Sequence, residues 1–271
     1  MATDLATAPG ATEPAAVPAP APEITFDREL AMTLARVPLT AIAWVVAAYL
    51  AHMAWAAFVP VSEAFPAAAN LGALAVIAVG MVWAAWIDGY AFKVPNWLTL
   101  SLVVSGWYLG LLHTFGVAVA GNGGIGQALL GTLVGFAVLF PALFIGGMGE
   151  GDVKMTMAFG SWMGAFFGAE YLALPGTTIS AIAVIWWSFA LGVIVGGVFG
   201  IVMMALRRQL HKNMQNAREI VTDLQVMVTH GPKKAAERAN SRRKDWTRLP
   251  YGVPLCVGFL GYLWYRLFLT A

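Results

Sequence analysis

The sequence predicts an all-α fold: a polytopic membrane helix bundle of about seven transmembrane helices. Three observations carry this. The 271 residues are 59% hydrophobic and only 11% charged, whereas a soluble domain carries about 25% charged residues. Seven segments are apolar enough to cross a bilayer, approximately 38–59, 71–87, 98–117, 126–147, 153–173, 180–206 and 251–269. Charge is also unevenly placed: eleven of the 16 Lys and Arg lie in residues 207–249, and such clustering beside membrane spans marks a cytoplasmic loop. The apolar runs are long and lack two-residue alternation, so helices are expected rather than strands.

Residues 1–35 are rich in Ala and Pro and carry Asp4, Glu13, Glu23, Asp27 and Glu29. A secretory signal would start with positive charge and then an apolar run. This segment has neither and reads as a disordered cytoplasmic tail. Residues 36–60 form an additional N-terminal span, 61–206 a membrane core, 207–249 a basic amphipathic cytoplasmic insertion, and 250–271 the final helix of the core. Arg28 and Arg36 before the first span favour a cytoplasmic N-terminus. Asp88 with Lys93, Asp152 with Lys154, and the basic 207–249 segment then share the cytoplasmic side. The opposite loops, near 60–70, 118–125 and 174–179, carry no Lys or Arg. Arg266, near the outer end of the last span, is expected to reach the interface by snorkelling.

Small residues recur every four positions at Gly160, Gly164, Gly168 and again at Gly192, Gly196, Gly200. Such ridges let helices approach closely, inside the bundle or across a dimer. Between 207 and 229, Leu210, Met214, Ala217, Val221, Leu224 and Val228 form one helical stripe. It is expected to lie against anionic headgroups or the bundle, or to dock a partner of a pilus or secretion machine. Trp86, Trp97 and Trp162 read as membrane anchors near the inner boundary. Cys256, the one cysteine, reads as a small buried hydrophobe. His52, His113, His211 and His230 show no metal-ligand spacing, so no metal or other cofactor is expected. No nucleic-acid partner is expected either.

Candidate chemistry lies at two span boundaries. Residues 146–154 read Gly-Gly-Met-Gly-Glu-Gly-Asp-Val-Lys and place Asp152 on a glycine-loosened backbone. Asp88 closes another apolar segment, followed by Lys93, Pro95 and Asn96. Ionisable groups at membrane depth are costly and usually functional. Two carboxylates that approach closely cannot both ionise easily, so one keeps a proton while the other activates water, as peptide hydrolysis requires. Gly149 and Gly151 would let a substrate strand approach Asp152. Lys93 and Lys154 are expected to pair with the aspartates or with lipid phosphate, Asn96 to cap or orient nearby backbone groups, and Glu150 to be a solvated neighbour.

Three stretches together resemble the type IV prepilin peptidase family of membrane aspartic proteases. Asp88 to Thr99 (Asp-Gly-Tyr-Ala-Phe-Lys-Val-Pro-Asn-Trp-Leu-Thr) is similar to the stretch that follows the family's first catalytic aspartate. Gly149 to Lys154, then Ala158-Phe159-Gly160, resembles its Gly-x-Gly-Asp-x-Lys motif and the helix carrying it. Leu249-Pro250-Tyr251-Gly252-Val253-Pro254 resembles the Pro-Tyr-Gly-x-Pro string before its last span. The resemblance covers about residues 71–271, with 207–249 as an insertion. It implies that Asp88 and Asp152 are the catalytic pair and that the substrate is a prepilin-like precursor, relieved of a short positively charged leader at the cytoplasmic face of the inner membrane. Many relatives also carry paired Cys-x-x-Cys motifs and methylate the new N-terminus. This chain has only Cys256, so it resembles the short, peptidase-only branch of the tight-adherence (Flp) pilus type, and no methyltransferase activity is expected. Presenilin-type proteases share the Gly-x-Gly-Asp string but resemble this chain less, since Asp88 follows Ile87 and no Pro-Ala-Leu follows Asp152. A proton-coupled transporter and a non-catalytic pilus or secretion assembly component stand as the alternatives from other classes.

Overall fold

The computed structural model describes residues 28–59, 70–117, 119, 121–144, 148–169, 171–174, 177–206 and 250–269, with 222, 225, 226 and 229. Among them run seven long helices: α1 (Arg28–Phe58), α2 (Gly72–Ala91), α3 (Asn96–Thr114), α4 (Ile125–Phe144), α5 (Glu150–Phe167), α6 (Ala181–Leu206) and α7 (Gly252–Trp264). A π-helical turn, Tyr265–Leu269, extends α7. Residues 1–27 and almost all of 207–249, including the whole apolar stripe, lie outside the described residues; Thr222, Gln225, Val226 and Thr229 are helical.

Four stretches are long and apolar enough to cross a membrane: Ala35–Phe58, Gly72–Ala91, Ile125–Leu143 and Ala181–Met203. Their outward faces keep Leu39, Leu50, Val79, Leu133 and Ile194 exposed, as lipid contact requires. α5 is different. Its 18 residues are buried almost throughout from Asp152 to Phe167, packed among α2, α3, α4, α6 and α7. Beyond its first turn, the polar and glycine residues that dilute its hydropathy, Thr156, Gly160, Ser161 and Gly164, are buried against other helices instead of facing lipid.

The expected fifth span, 153–173, ends early. Gly168 takes φ +62°, a conformation glycine adopts without a Cβ penalty, and its amide donates to Gly164 O to close α5. The chain then forms a short antiparallel hairpin, Tyr171–Leu174 paired with Thr177–Ile179, where the sequence reading had the helix continue. At the other end of the chain, α1 starts at Arg28, earlier than the expected boundary at 36.

The glycine ridges face inward. A Cβ on Gly160 would collide with Gly131 O, and one on Gly164 with Gln127 O, so α4 and α5 pack backbone against backbone. On α6, Gly192 and Gly196 sit against Leu255 and Pro254 of α7. Internal packing is therefore the role these ridges play here.

Polar clasps complete the bundle. Trp162 Nε1 donates to Leu102 O at 2.9 Å and Ser105 Oγ at 3.0 Å, joining α5 to α3. Trp162 is fully buried and so is a core residue, not the expected membrane anchor. Its indole is large enough to fill the α3–α5 gap and finds a hydrogen-bond partner there. Trp107 Nε1 donates to Thr132 Oγ1 between α3 and α4. His113 Nδ1 lies 2.9 Å from both Gly123 O and Ala165 O. Because both partners are acceptors, Nδ1 is assigned the proton. Phe159 stacks on Phe259 with ring centroids 4.3 Å apart, tying α5 to α7.

Replacing Gly160 by leucine forces α4 and α5 apart, and overpacking of this kind typically costs about 1–3 kcal/mol. Thermal unfolding in detergent is expected to show Gly160→Leu well below wild type. Gly197→Leu, at a position with open space around it, should unfold with wild type.

Candidate active site

Three helix ends converge on the two carboxylates. Asp88 lies in the last turn of α2, whose amide at Phe92 closes the helix on Asp88 O. Phe92 itself is left-handed, with φ 51°, and turns the chain sharply into the loop before α3. Pro95, extended at φ −64° and ψ 137°, precedes α3 as its N-cap. Its fixed φ and lack of an amide suit a helix start. Asp152 is the third residue of α5, where its carboxylate accepts a hydrogen bond from the N-cap amide, Gly149 N to Asp152 Oδ2, at 3.1 Å. α7 contributes its first residue: Gly252 N donates to Asp88 Oδ2 at 2.9 Å.

Both carboxylates are only 6% exposed. They also feel each other. Burial first, and then the charge of Asp88, push the Asp152 carboxyl up to about 7, against the opposing pull of the Gly149 amide. Among the described residues neither carboxylate is ion-paired; the ion pair at the site is Lys154 Nζ to Glu150 Oε2 at 3.6 Å.

The structure thus brings Asp88 and Asp152 together and arranges the remaining candidates around them. Lys154 donates to Asn96 Oδ1 at 2.9 Å, so it ties the start of α5 to the start of α3 instead of pairing with Asp152. Asn96 correspondingly does not cap its own helix: its side-chain oxygen is taken by Lys154, and α3 has no side-chain cap. Lys93 is exposed on the α2–α3 loop. Glu150 is 79% exposed, the solvated neighbour its position suggested. Gly151 lies against this chain's own Val94. A Cβ there would stand 3.4 Å from Val94 N and 3.5 Å from Val94 Cβ, so this chain's own α2–α3 loop occupies that side. Gly149 is extended and holds Asp152 through its amide.

Residues 75–205 match the type IV leader peptidase family, just under half of the chain. These residues belong to that family. The matched stretch contains both carboxylates. No curated protein and no solved structure matches the chain. With its apolar helices and this membership, the protein is a multi-pass membrane protein with a leader-peptidase-type function in general terms.

Gly252 lies beyond the matched stretch, and motif reading quoted it without assigning it to the site. Its bearing on Asp88 is also steric. A Cβ at 252 would stand 2.8 Å from Asp88 Oδ2 and 3.0 Å from Asp88 Cβ. The available signal was a glycine between Tyr251 and Pro254 at the very start of an apolar helix, where free amides point out of the helix end.

Gly252→Ala is expected to push the Asp88 carboxylate off the α7 amide and lower activity by about tenfold or more, since a hydrogen bond to a charged group is worth about 1.5–3 kcal/mol. Helix content, read by circular dichroism, should persist. Stability carries a separate signature. Asp152 has an ordinary value of 3.8 and a folded value of about 7. Below 3.8 it is protonated folded and unfolded alike. Between these values the folded state retains a proton that the unfolded chain releases, so the contribution of this group to stability falls as pH rises and is fully lost above about 7. Asp152→Asn, whose amide oxygen can still accept from Gly149, should therefore unfold at a higher temperature than wild type at about pH 8. The difference should vanish towards about pH 3.

Proposed function

We propose that this protein is an aspartic endopeptidase of the inner membrane. It removes the short, positively charged leader of a prepilin-like precursor at the cytoplasmic face. The observation that carries the reading is the convergence of two buried, mutually interacting carboxylates, neither ion-paired among the described residues, in a chain whose matched stretch belongs to a leader peptidase family.

The chemistry follows from one shared proton. A carboxylate pair in which one member holds its proton up to about pH 7 exists just below that pH largely as one acid and one base. The ionised member takes a proton from water as the water attacks the scissile carbonyl. The protonated member donates its proton to that oxygen; the proton taken from water then passes to the departing nitrogen as the C–N bond breaks, and the first member recovers a proton from the collapsing gem-diol. The amides of Gly252 and Gly149 hold the two carboxylates in place, so little reorganisation accompanies proton transfer. Membership of the peptidase-only branch is supported by the single cysteine, Cys256, which leaves no paired Cys-x-x-Cys motif. The basic 207–229 segment would meet anionic headgroups or a partner of the pilus machinery.

Asp88→Asn and Asp152→Asn are each expected to lower leader cleavage of a co-expressed precursor by at least about 100-fold, read by mass spectrometry of the precursor N-terminus, with membrane insertion unchanged. Wild-type cleavage should decline as pH rises above about 7, when the shared proton is lost. Full cleavage by either variant would defeat the assignment. Proton-coupled flux in proteoliposomes without hydrolysis would replace it with a transporter.

A further inference from the structure

Beside the carboxylates, a groove of about 410 Å³ runs between α2 and α7. Val82, Trp86 and Tyr90 line it from α2, and Val253, Cys256 and Val257 from α7. Trp86 and Tyr90 are 73% and 66% exposed and stand as aromatic walls. The α2 positions recur at four-residue spacing, so the groove follows the helix axis for about 12 Å, at about 1.5 Å per residue.

One end of the groove abuts the candidate active site on both walls. On α2 its last glycine, Gly89, directly follows Asp88. On α7 its first residue, Val253, directly follows Gly252, whose amide holds Asp88. Gly89 is not demanded by the fold. It lies within α2, outside the positive-φ positions, and a Cβ there would meet only Val253 Cγ2, at an ordinary 3.7 Å. Its missing side chain leaves space at the end of the groove nearest the carboxylates.

We propose that this groove docks the apolar helix of the substrate precursor, amino-terminal end towards Asp88. The inference rests on the peptidase reading for the identity of the occupant. An apolar helix seated along α2 and α7 brings the bond that precedes it to the level of Asp88 and Asp152. Its basic leader then continues past Glu150, whose carboxylate is 79% exposed and also pairs with Lys154. Helix-in-groove recognition of this kind seats anchors of the docked helix at three- and four-residue spacing, and a groove about 12 Å long spans about two turns of such a helix. An acyl chain is the competing occupant.

The probe is a single-span precursor with a lysine-rich leader and one cysteine in its apolar segment, reconstituted with the full chain. In a Cys256→Ser, Asp152→Asn background, Val257→Cys should form a disulfide cross-link to it. Ile194→Cys, exposed on α6, should not. Equal cross-linking at both positions, or none at 257, overturns the proposal in favour of lipid. In the active protein, Val82→Trp and Val257→Trp should raise KM for the whole precursor about tenfold or more with kcat unchanged. They should cleave a soluble peptide that ends just past the scissile bond as wild type does. Equal slowing on both substrates also overturns it. If wild type cleaves neither substrate, the peptidase reading fails, and the cross-linking pattern still decides whether the groove holds the apolar helix.

Discussion

The hydrogen bond from Gly252 N to Asp88 Oδ2, 2.9 Å long and spanning 164 residues of sequence, sets the terms for everything around it. The first amides of a helix have no partner inside the helix and carry partial positive charge. Asp88 takes one such amide from α7. Asp152 takes the N-cap amide of its own helix, α5, and sits within the first turn. Helix starts thus do for these carboxylates what cations do in a buried ion pair. The consequence is chemical: a carboxylate locked to a lysine would be held ionised, whereas one held by an amide can still exchange a proton.

This arrangement requires three helix ends to meet within hydrogen-bond distance, and the packing of α5 makes that possible. Its glycines allow α4 to lie backbone against backbone along one side. Trp162 and the Phe159–Phe259 stack fix α3 and α7 on others. Lys154 bridges to Asn96 and so joins the start of α5 to the start of α3, near the loop that follows Asp88. Hydrophobic association is weak between helices in lipid, so close packing and interhelical hydrogen bonds carry more of the load. The chain uses both on the helix that bears Asp152.

Much of the architecture was legible before any coordinates. The limits of α2, α3, α4, α6 and α7 fall within a few residues of the apolar segments, because a bilayer imposes a length of about 20 residues on each crossing. Asp88 and Asp152 stood out because charge is rare in such segments. Other features were not legible, each for a reason of packing. Trp162 looked like an anchor because hydropathy cannot tell an indole facing headgroups from one donating to Leu102 O inside a bundle. The end of α5 at Gly168 depended on a positive φ, and glycine permits that conformation without announcing it. Asn96 and Lys154 were read each within its own segment, though they bond to each other across 58 residues.

Composition and the spacing of apolar runs by themselves determined that this is a helical membrane bundle, and they singled out two carboxylates at segment boundaries as costly groups. Those are one-dimensional consequences of the bilayer as a solvent. Only the tertiary structure decided what holds the carboxylates. A Cβ at position 252 would stand 2.8 Å from Asp88 Oδ2 and displace that carboxylate, and that distance is set by how α2 and α7 cross, which no local pattern of residues encodes.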